Sequence, residues 1–251
     1  MKIIKIVYIV FCMTLIANAA TRNDVLVLEA SESLKTTTQD IAHKFLLSMR
    51  YPYSYKYKDI LKRDIDALSS DIQQIATNTN DEKAKGLLMY FATKKAEILQ
   101  MLNSKKDKKS ADEMVMISEL FDEGAKSIDK LHAYKFSNEE KMQMLSNSMK
   151  TVLNEILKYN LAIKEGNDAS TYRNKLKQSI ATFDKDMQKI SQYPYPEEIM
   201  YGALDKLKTS WSVMKNYIEA KKITLPALLS VVGEQMQQQL TALSIYHSKK
   251  Q

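Results

Sequence analysis

The side chains that most often carry out catalysis or bind metals are scarce in this sequence. It has one cysteine, Cys12, and three histidines, His43, His132 and His247, whose spacings match no metal-ligand motif. It also lacks a Ser/His/Asp arrangement, a paired-carboxylate motif, an HExxH motif and a Gly-rich phosphate loop. The sequence therefore predicts a protein that is not an enzyme and has neither a cofactor nor a metal site.

Tyrosines cluster in two turn-like segments that also contain proline. Tyrosine is common in protein–protein interfaces, and it also closes the ends of helical bundles. The sequence leaves both roles open. The candidates for partner contact are Tyr51, Tyr53, Tyr55, Tyr193 and Tyr195.

A run of glutamines interrupts the apolar pattern near the C-terminus. It consists of Gln235, Gln237, Gln238 and Gln239. Gln239 stands where the pattern requires an apolar residue. Such a residue either sets the helix register as a buried polar group or contributes to a small polar pocket.

The overall composition favours helices. Only 5 of the 251 residues are Gly and only 4 are Pro, too few for the turns of sandwiches, barrels or doubly wound α/β folds. The formal net charge is +7, but the lysines are interspersed with acidic residues, as on solvated helix faces. We therefore expect an all-α protein with no nucleic-acid partner.

The first twenty residues have the pattern of a secretory signal peptide. Lys2 and Lys5 precede an apolar stretch, Ile6–Ile16, and Ala17–Ala19 supplies the small-residue cleavage motif. The alternative, an uncleaved membrane anchor, requires a longer apolar run of about 20 residues. The pattern predicts cleavage near Ala19 and a periplasmic protein with no integral membrane segment in its mature chain.

The chain also matches itself. Tyr57–Ile65 aligns with Tyr172–Ile180 at an offset of 115, and His132 aligns with His247 at the same offset. Near Thr38 and Ser146 the best offset falls to 108, which predicts seven extra residues in the second copy, around Glu165–Asp168. Agreement at one offset over most of the chain indicates an internal duplication.

Each copy divides into four amphipathic helices. The apolar residues recur at helical spacing, and Trp211 and Phe183 are the predicted core anchors of the second copy. Because most connections are short, neighbouring helices should be antiparallel. The prediction is two tandem antiparallel four-helix bundles related by duplication, residues 21–135 and 136–251, after a signal peptide of residues 1–20. The predicted helices are Asp24–Arg50, Lys56–Thr77, Asp81–Asn103, Ala111–Tyr134, Asn138–Tyr159, Ser170–Gln192, Glu197–Ala220 and Pro226–Ser248.

The second copy resembles a known family. Lys141–Asn147 (KMQMLSN) opens its first helix, and Ala203–Trp211 (ALDKLKTSW) lies in its third. These segments resemble the PilJ-type sensor domain of type IV pilus chemotaxis transducers and of nitrate and nitrite sensor kinases of the NarX type. The resemblance covers all of the second copy and, more faintly, the first.

The resemblance implies a ligand site on the first helix of each copy. Family members commonly carry Arg-x-Arg where this chain has Lys141 and Gln143, and in the nitrate sensors the arginine just before the Met contacts the anion. Arginine binds a planar anion with two parallel hydrogen bonds, which neither lysine nor glutamine reproduces. The implied ligand residues are Lys141, Gln143, Ser146 and Asn147 in the second copy and Lys35, Thr38 and Gln39 in the first.

The resemblance also indicates what the protein does. We expect a sensor-like module that binds a small polar or anionic ligand and acts through a membrane sensor or a chemotaxis transducer. The alternative is a structural or adaptor protein that binds another protein and has no small ligand.

Overall fold

The computed structural model of the chain is all-helical over the residues that it describes, 2–132, 134–166, 169–219 and 226–251. Side chains are described from Arg22 onward, with the exceptions of Tyr55, Lys56, Lys58 and Ala169 inside helices. The predicted signal peptide, with its cleavage site near Ala19, thus lies outside the described side chains. Within the described part, no helix is both long and apolar enough to cross a membrane.

The helices match the sequence prediction closely. Helices α1 to α4 cover Lys2–Arg50, Tyr55–Asn78, Glu82–Asn103 and Lys108–Leu131, and α5 and α6 cover Asn138–Lys164 and Ala169–Ser191. A short α7, Glu197–Ile199, continues through π-helical Met200–Leu204 into α8, Asp205–Glu219, and α9 covers Pro226–Ser248. The largest difference is at the start of α1, which begins at Lys2 and not at Asp24, and the next is at the end of α5. This helix continues past Tyr159 because Leu161 and Ala162 extend its buried face.

Local signals place several helix ends. Ser137 and Glu140 form a capping box at the start of α5, in which each side chain binds the other's backbone N–H. Pro226 is the first residue of α9, as predicted. A second capping box joins Asp107 and Ser110 at the start of α4, where a serine replaces the Glu or Gln of the usual sequence pattern.

Each half of the chain packs around its first long helix. In the first half, α1 is antiparallel to α2 and α4, and α3 contacts α2 and α4. The pair Lys44–Asp64 joins α1 to α2 at 2.9 Å. In the second half, α5 packs against α6 and α9, and α8 contacts α9. Gln237 of α9 donates to Asn154 of α5 at 2.6 Å.

The two halves meet along α1 and α5, which run parallel. The hydroxyls of Thr36 and Thr151 are 2.6 Å apart, and Arg50 pairs with Glu165 at 3.2 Å. The partners in both pairs are 115 positions apart in the chain. Leu46 of α1 belongs to the same apolar cluster as Phe183. The first helices are therefore packed in register, and the cores of the halves touch.

The predicted offset of 108 over the first helix is wrong. His132 pairs with Asp24 at 2.7 Å and His247 pairs with Glu139 at 2.6 Å, so both partners shift by 115. Four residues separate α1 from α2, 51–54, and four separate α5 from α6, 165–168, so there is no seven-residue insertion. Similar polar residues recur along α1 and α5, which makes a shift of two helical turns hard to detect from sequence.

The two predicted core anchors are buried. Phe183 is fully buried and Trp211 is 6% exposed, with their ring centroids 4.4 Å apart. The indole Nε1 donates to Asp184 at 2.8 Å. The ring pair therefore packs α8 onto α6, and the one polar atom of the indole is satisfied.

Gly124→Ala should destabilise the protein, because the new Cβ would lie 2.5 Å from Cζ of Phe91, whose ring stacks on Phe121 at 4.6 Å. Overpacking of this kind costs about 1–3 kcal/mol. The matched control is Gly86→Ala in α3, where a Cβ meets nothing within 4 Å. It should stabilise by about 0.5–1 kcal/mol, since alanine is the better helix former. Urea unfolding of both variants is the measurement, and effects of the same sign would contradict this packing.

Candidate functional site

The predicted ligand residues of the first half are buried and bonded within the protein. Lys35 pairs with Asp129 at 3.0 Å, and its pKa is raised by that carboxylate and by a neighbouring glutamate. Thr38 donates to a carbonyl of its own helix. Gln39 accepts from Lys158 at 2.5 Å. These side chains therefore join α1 to α4 and α5.

The predicted ligand residues of the second half make separate contacts. Lys141 is exposed, and Gln143 accepts from the amide of the C-terminal residue. Ser146 donates to its own helix, and Asn147 accepts from a lysine one turn along. The structure does not bring the two sets together, and none of their members lines the cavities described below.

The second tyrosine segment closes one end of the second half. The hydroxyl of Tyr193 donates to Glu139 at 2.5 Å, and that of Tyr195 lies 2.8 Å from Nε2 of His247. Their rings pack at a centroid distance of 4.7 Å. Of the first segment, Tyr51 is half-buried against the core, Tyr53 is 94% exposed, and Tyr55 lies outside the described side chains.

His132 and His247, each at the C-terminal end of its half, occupy matching positions. His132 contacts Asp24 through Nδ1 at 2.7 Å and Thr79 through Nε2 at 3.1 Å. His247 repeats the first contact with Glu139 at 2.6 Å. The carboxylate comes from α1 or α5, so each histidine joins three segments of its half.

A cavity of about 470 Å³ opens between α1, α2 and α9. Its floor is formed by Asp40 and His43 of α1, with Leu157 of α5. Its mouth carries Arg63 and Glu234, which are exposed. We call it the α9 cavity. It combines a few polar groups with an apolar wall, as small-molecule sites do.

The carboxylates of the α9 cavity converge on one lysine. Lys44 Nζ lies 2.5 Å from Asp40 Oδ2 and 2.9 Å from Asp64 Oδ2. Burial raises the pKa of Asp40 to about 6, and the nearby charges of Asp64 and Glu234 act in the same direction. Asp40 is therefore a desolvated carboxylate that titrates close to neutral pH.

His43 is the most unusual group in this cavity. The residue is only 6% exposed and has no hydrogen-bond partner among the described residues, but its ring nitrogens are not fully enclosed and face the open cavity. Burial and the neighbouring charge of Lys44 lower its pKa to about 3, so the imidazole is neutral with one donor and one acceptor. Buried polar groups are nearly always hydrogen-bonded. Because His43 lines the cavity, a bound molecule can supply these bonds.

The equivalent interface in the other half is filled by side chains. Lys158 and Tyr159 stand 115 positions after His43 and Lys44. In this interface α4 packs beside α5 and α6, as α9 does beside α1 and α2 at the α9 cavity. Tyr159 donates to Glu119 of α4 at 2.8 Å, and its ring stacks on a second tyrosine at 5.8 Å. We call the filled set the Lys158 cluster: Lys158, Tyr159, Tyr172, Lys175 and Glu119.

Lys158 is completely buried in this cluster. Its Nζ donates to Gln39 at 2.5 Å and to Ser118 at 2.9 Å, and it lies 4.3 Å from the centre of the Tyr159 ring. Burial lowers the pKa of this lysine to about 8. In the interface between α1, α2 and α9, the space at the corresponding position is part of the α9 cavity.

A second cavity, of about 870 Å³, lies between α5, α6 and α8. Its wall is apolar, with Leu176 and Ile180 among its residues. Four basic side chains and two acidic ones surround it, which gives a net charge of +2. They are Lys164, Arg173, Lys177, Lys215, Asp184 and Glu219.

The sequence analysis did not single out Asp40 or connect His43 to a pocket. One signal pointed there, because a glutamine run in α9 suggested a polar pocket. Gln237 of that run lines the α9 cavity, while Gln239, the residue that the pattern favoured, does not.

Comparisons with known proteins identify no relative: no family model matches the chain, and no curated protein or solved structure is significantly similar to it. The PilJ-type resemblance therefore stays a prediction.

Lys158→Met should flatten the dependence of stability on pH between 8 and 10. The pKa of Lys158 is lowered to about 8 in the folded protein and is near 10.5 when unfolded, so the unfolded chain binds more protons in this window. Stability therefore rises with pH, with a limiting slope of about 1.4 kcal/mol per pH unit. The charged groups facing Lys158 are Glu119, Asp122, Glu155 and Lys175.

Urea unfolding at pH 8, 9 and 10 measures this slope. The control is Lys177→Met, which removes an exposed lysine and should leave the slope as it is in the unmodified protein. Equal slopes in all three proteins would contradict a buried, desolvated Lys158.

Proposed function

We propose that this protein is an exported, non-catalytic helical module that binds a small polar ligand in the α9 cavity. The observation that carries the proposal is His43, a buried imidazole with no described protein partner that lines a cavity beside the desolvated Asp40. A ligand that bonds to both provides hydrogen-bond partners for two polar groups that line the same cavity.

The proposed architecture is two tandem antiparallel four-helix bundles, residues 21–135 and 136–251, that arose by duplication. The repeated contacts support it. The histidine–carboxylate pairs Asp24–His132 and Glu139–His247 are related by 115 positions. Thr36 and Thr151, which are related by the same shift, contact each other. A pseudo-twofold axis between α1 and α5 accounts for both facts.

The chemistry of the α9 cavity supports binding rather than catalysis. Asp40 and Asp64 are held by Lys44, and Ser230 makes no hydrogen bond with His43 among the described contacts. A nucleophile–base pair requires such a bond. The groups can orient a ligand, and no activated nucleophile stands beside it.

The signal peptide and the family resemblance supply the proposed setting. A periplasmic binding module of PilJ type acts by presenting its bound form to a membrane sensor or a chemotaxis transducer. The adaptor alternative is favoured by the exposed apolar side chains, such as Tyr53 at 94% and Met89 at 76% exposure.

His43→Phe should weaken any ligand of the α9 cavity. Phenylalanine keeps an aromatic ring and removes both nitrogens, and the loss of one or two hydrogen bonds predicts about two- to tenfold weaker binding. Candidate ligands come from a thermal-shift screen of small polar metabolites, and titration calorimetry measures their affinity.

The matched control is Lys158→Met, the same position in the filled interface, which should leave affinity unchanged. A flat screen, together with a captured protein partner, would overturn this proposal in favour of the adaptor. A ligand whose affinity does not change in His43→Phe would place the site elsewhere.

A further inference from the structure

We propose that the ligand of the α9 cavity is an organic cation, a protonated primary amine on a small aromatic or aliphatic body. This inference rests on the proposed function and specifies its ligand class. Two independent observations support it, namely the contents of the equivalent interface and the charges around the cavity.

The Lys158 cluster shows what such an interface accepts. There, the chain itself places an ammonium group, Lys158 Nζ, over the ring of Tyr159 at 4.3 Å, close to the carboxylates of Glu119 and Glu155. Both charged and aromatic groups are buried, with Lys158 fully buried and Tyr159 only 5% exposed. The interface between α1, α2 and α9 corresponds to this one by the shift of 115 positions, and part of the space that these side chains occupy is there a cavity.

The carboxylates are retained at the open interface. Asp40 corresponds to Glu155 and Glu234 corresponds to Glu119, each 115 positions apart. His43, which replaces Lys158, is a shorter and uncharged side chain. A ligand ammonium beside His43 therefore lies near the same two acidic positions that accommodate the Lys158 ammonium.

The charges of the lining favour a cation over an anion. The cavity has three carboxylates and two basic side chains, a net charge of −1. One of the basic residues, Arg63, is exposed at the mouth, where solvent screens it. An anion beside Asp40 would meet a carboxylate, whereas a ligand ammonium can share that carboxylate with Lys44, which contacts only Oδ2, and gain a charge-assisted hydrogen bond.

The remaining wall fits the body of such an amine. Leu47 and Leu157 are buried apolar residues of the floor, and Tyr57 and Ile60 of α2 form a further part of the wall. A cavity of about 470 Å³ is within the range of small-molecule sites. An aromatic ring on the ligand would take the place that the ring of Tyr159 has in the filled interface.

Four probes of related shape test the ligand class by titration calorimetry against the full chain. They are 2-phenylethylamine, butylamine, 2-phenylethanol and 3-phenylpropanoate, which separate charge from aromatic body. The expected result is binding of the amines, at least tenfold tighter for 2-phenylethylamine than for 2-phenylethanol. If 3-phenylpropanoate binds in the second cavity, whose net charge is +2, the His43→Phe substitution should leave its affinity unchanged. This separates binding there from binding in the α9 cavity.

Asp40→Asn removes the deep carboxylate with little change in shape, and it should weaken 2-phenylethylamine at least tenfold. The matched control is Glu155→Gln, the corresponding carboxylate of the filled interface, which should stay within twofold of the unmodified protein. Circular dichroism and the melting temperature of each variant show that it is folded. If both variants weaken the amine equally, the amine does not bind in the α9 cavity and the inference is overturned.

The pH dependence provides a second readout that does not need a variant. Since the pKa of Asp40 is raised to about 6, its charge is lost as the pH falls, and amine affinity should drop about tenfold between pH 7.5 and pH 5. The other groups that face Asp40 are Lys44 and His43 of α1, Asp64 and Arg63 of α2, and Glu234 of α9. Affinity that does not change over this range would contradict an ammonium–Asp40 contact.

The outcomes separate this inference from the proposed function. Suppose that 2-phenylethanol or 3-phenylpropanoate binds as tightly as the amine, and that His43→Phe weakens this binding. The inference that the ligand is a cation is then overturned, while the proposal that the α9 cavity binds ligands stands. If none of the amines binds, the inference is overturned. If the broad metabolite screen is flat as well, the proposed function fails with it.

Discussion

The parallel packing of α1 against α5 is the constraint on which the rest of the structure depends. The hydroxyl contact of Thr36 with Thr151 sets the two helices in register, with matching positions side by side. Once this register is set, α4 faces α5 and α6 in the same way as α9 faces α1 and α2. The chain thereby forms two equivalent interfaces, and the side chains at matching positions decide what each contains.

The side chains at the two interfaces differ in one important respect. At one interface, Lys158 and Tyr159 fill the space, and the lysine ammonium donates two hydrogen bonds and lies over the tyrosine ring. At the other, His43 is buried without a described protein partner, beside a carboxylate whose pKa burial has raised. A buried polar cluster that is fully bonded specifies a unique structure, whereas one that is partly bonded provides the groups of a binding site.

The sequence predicted the local structure well and the site poorly, for identifiable reasons. Helix ends depend on short-range signals, such as Ser137 with Glu140, and apolar spacing alone placed Trp211 in the core. The role of Lys35 depends on Asp129, 94 positions away, and no local pattern contains that pairing. His43 was recognised only as lacking a metal-ligand spacing. Its importance lies in the absence of a described partner in a folded interface, and a sequence does not show which of its polar residues are left unpaired.

The register of α1 and α5 can be tested directly by a disulfide. In a Cys12→Ser background, the pair Thr36→Cys with Thr151→Cys replaces hydroxyls that are 2.6 Å apart, so the two new sulfur atoms start close to each other. The comparison is the pair Thr38→Cys with Ser146→Cys, which the alternative offset of 108 would bring together. Mass spectrometry after mild oxidation should find a disulfide in the first protein and free thiols in the second. A disulfide in the second protein alone would contradict the register, and with it the equivalence of the two interfaces.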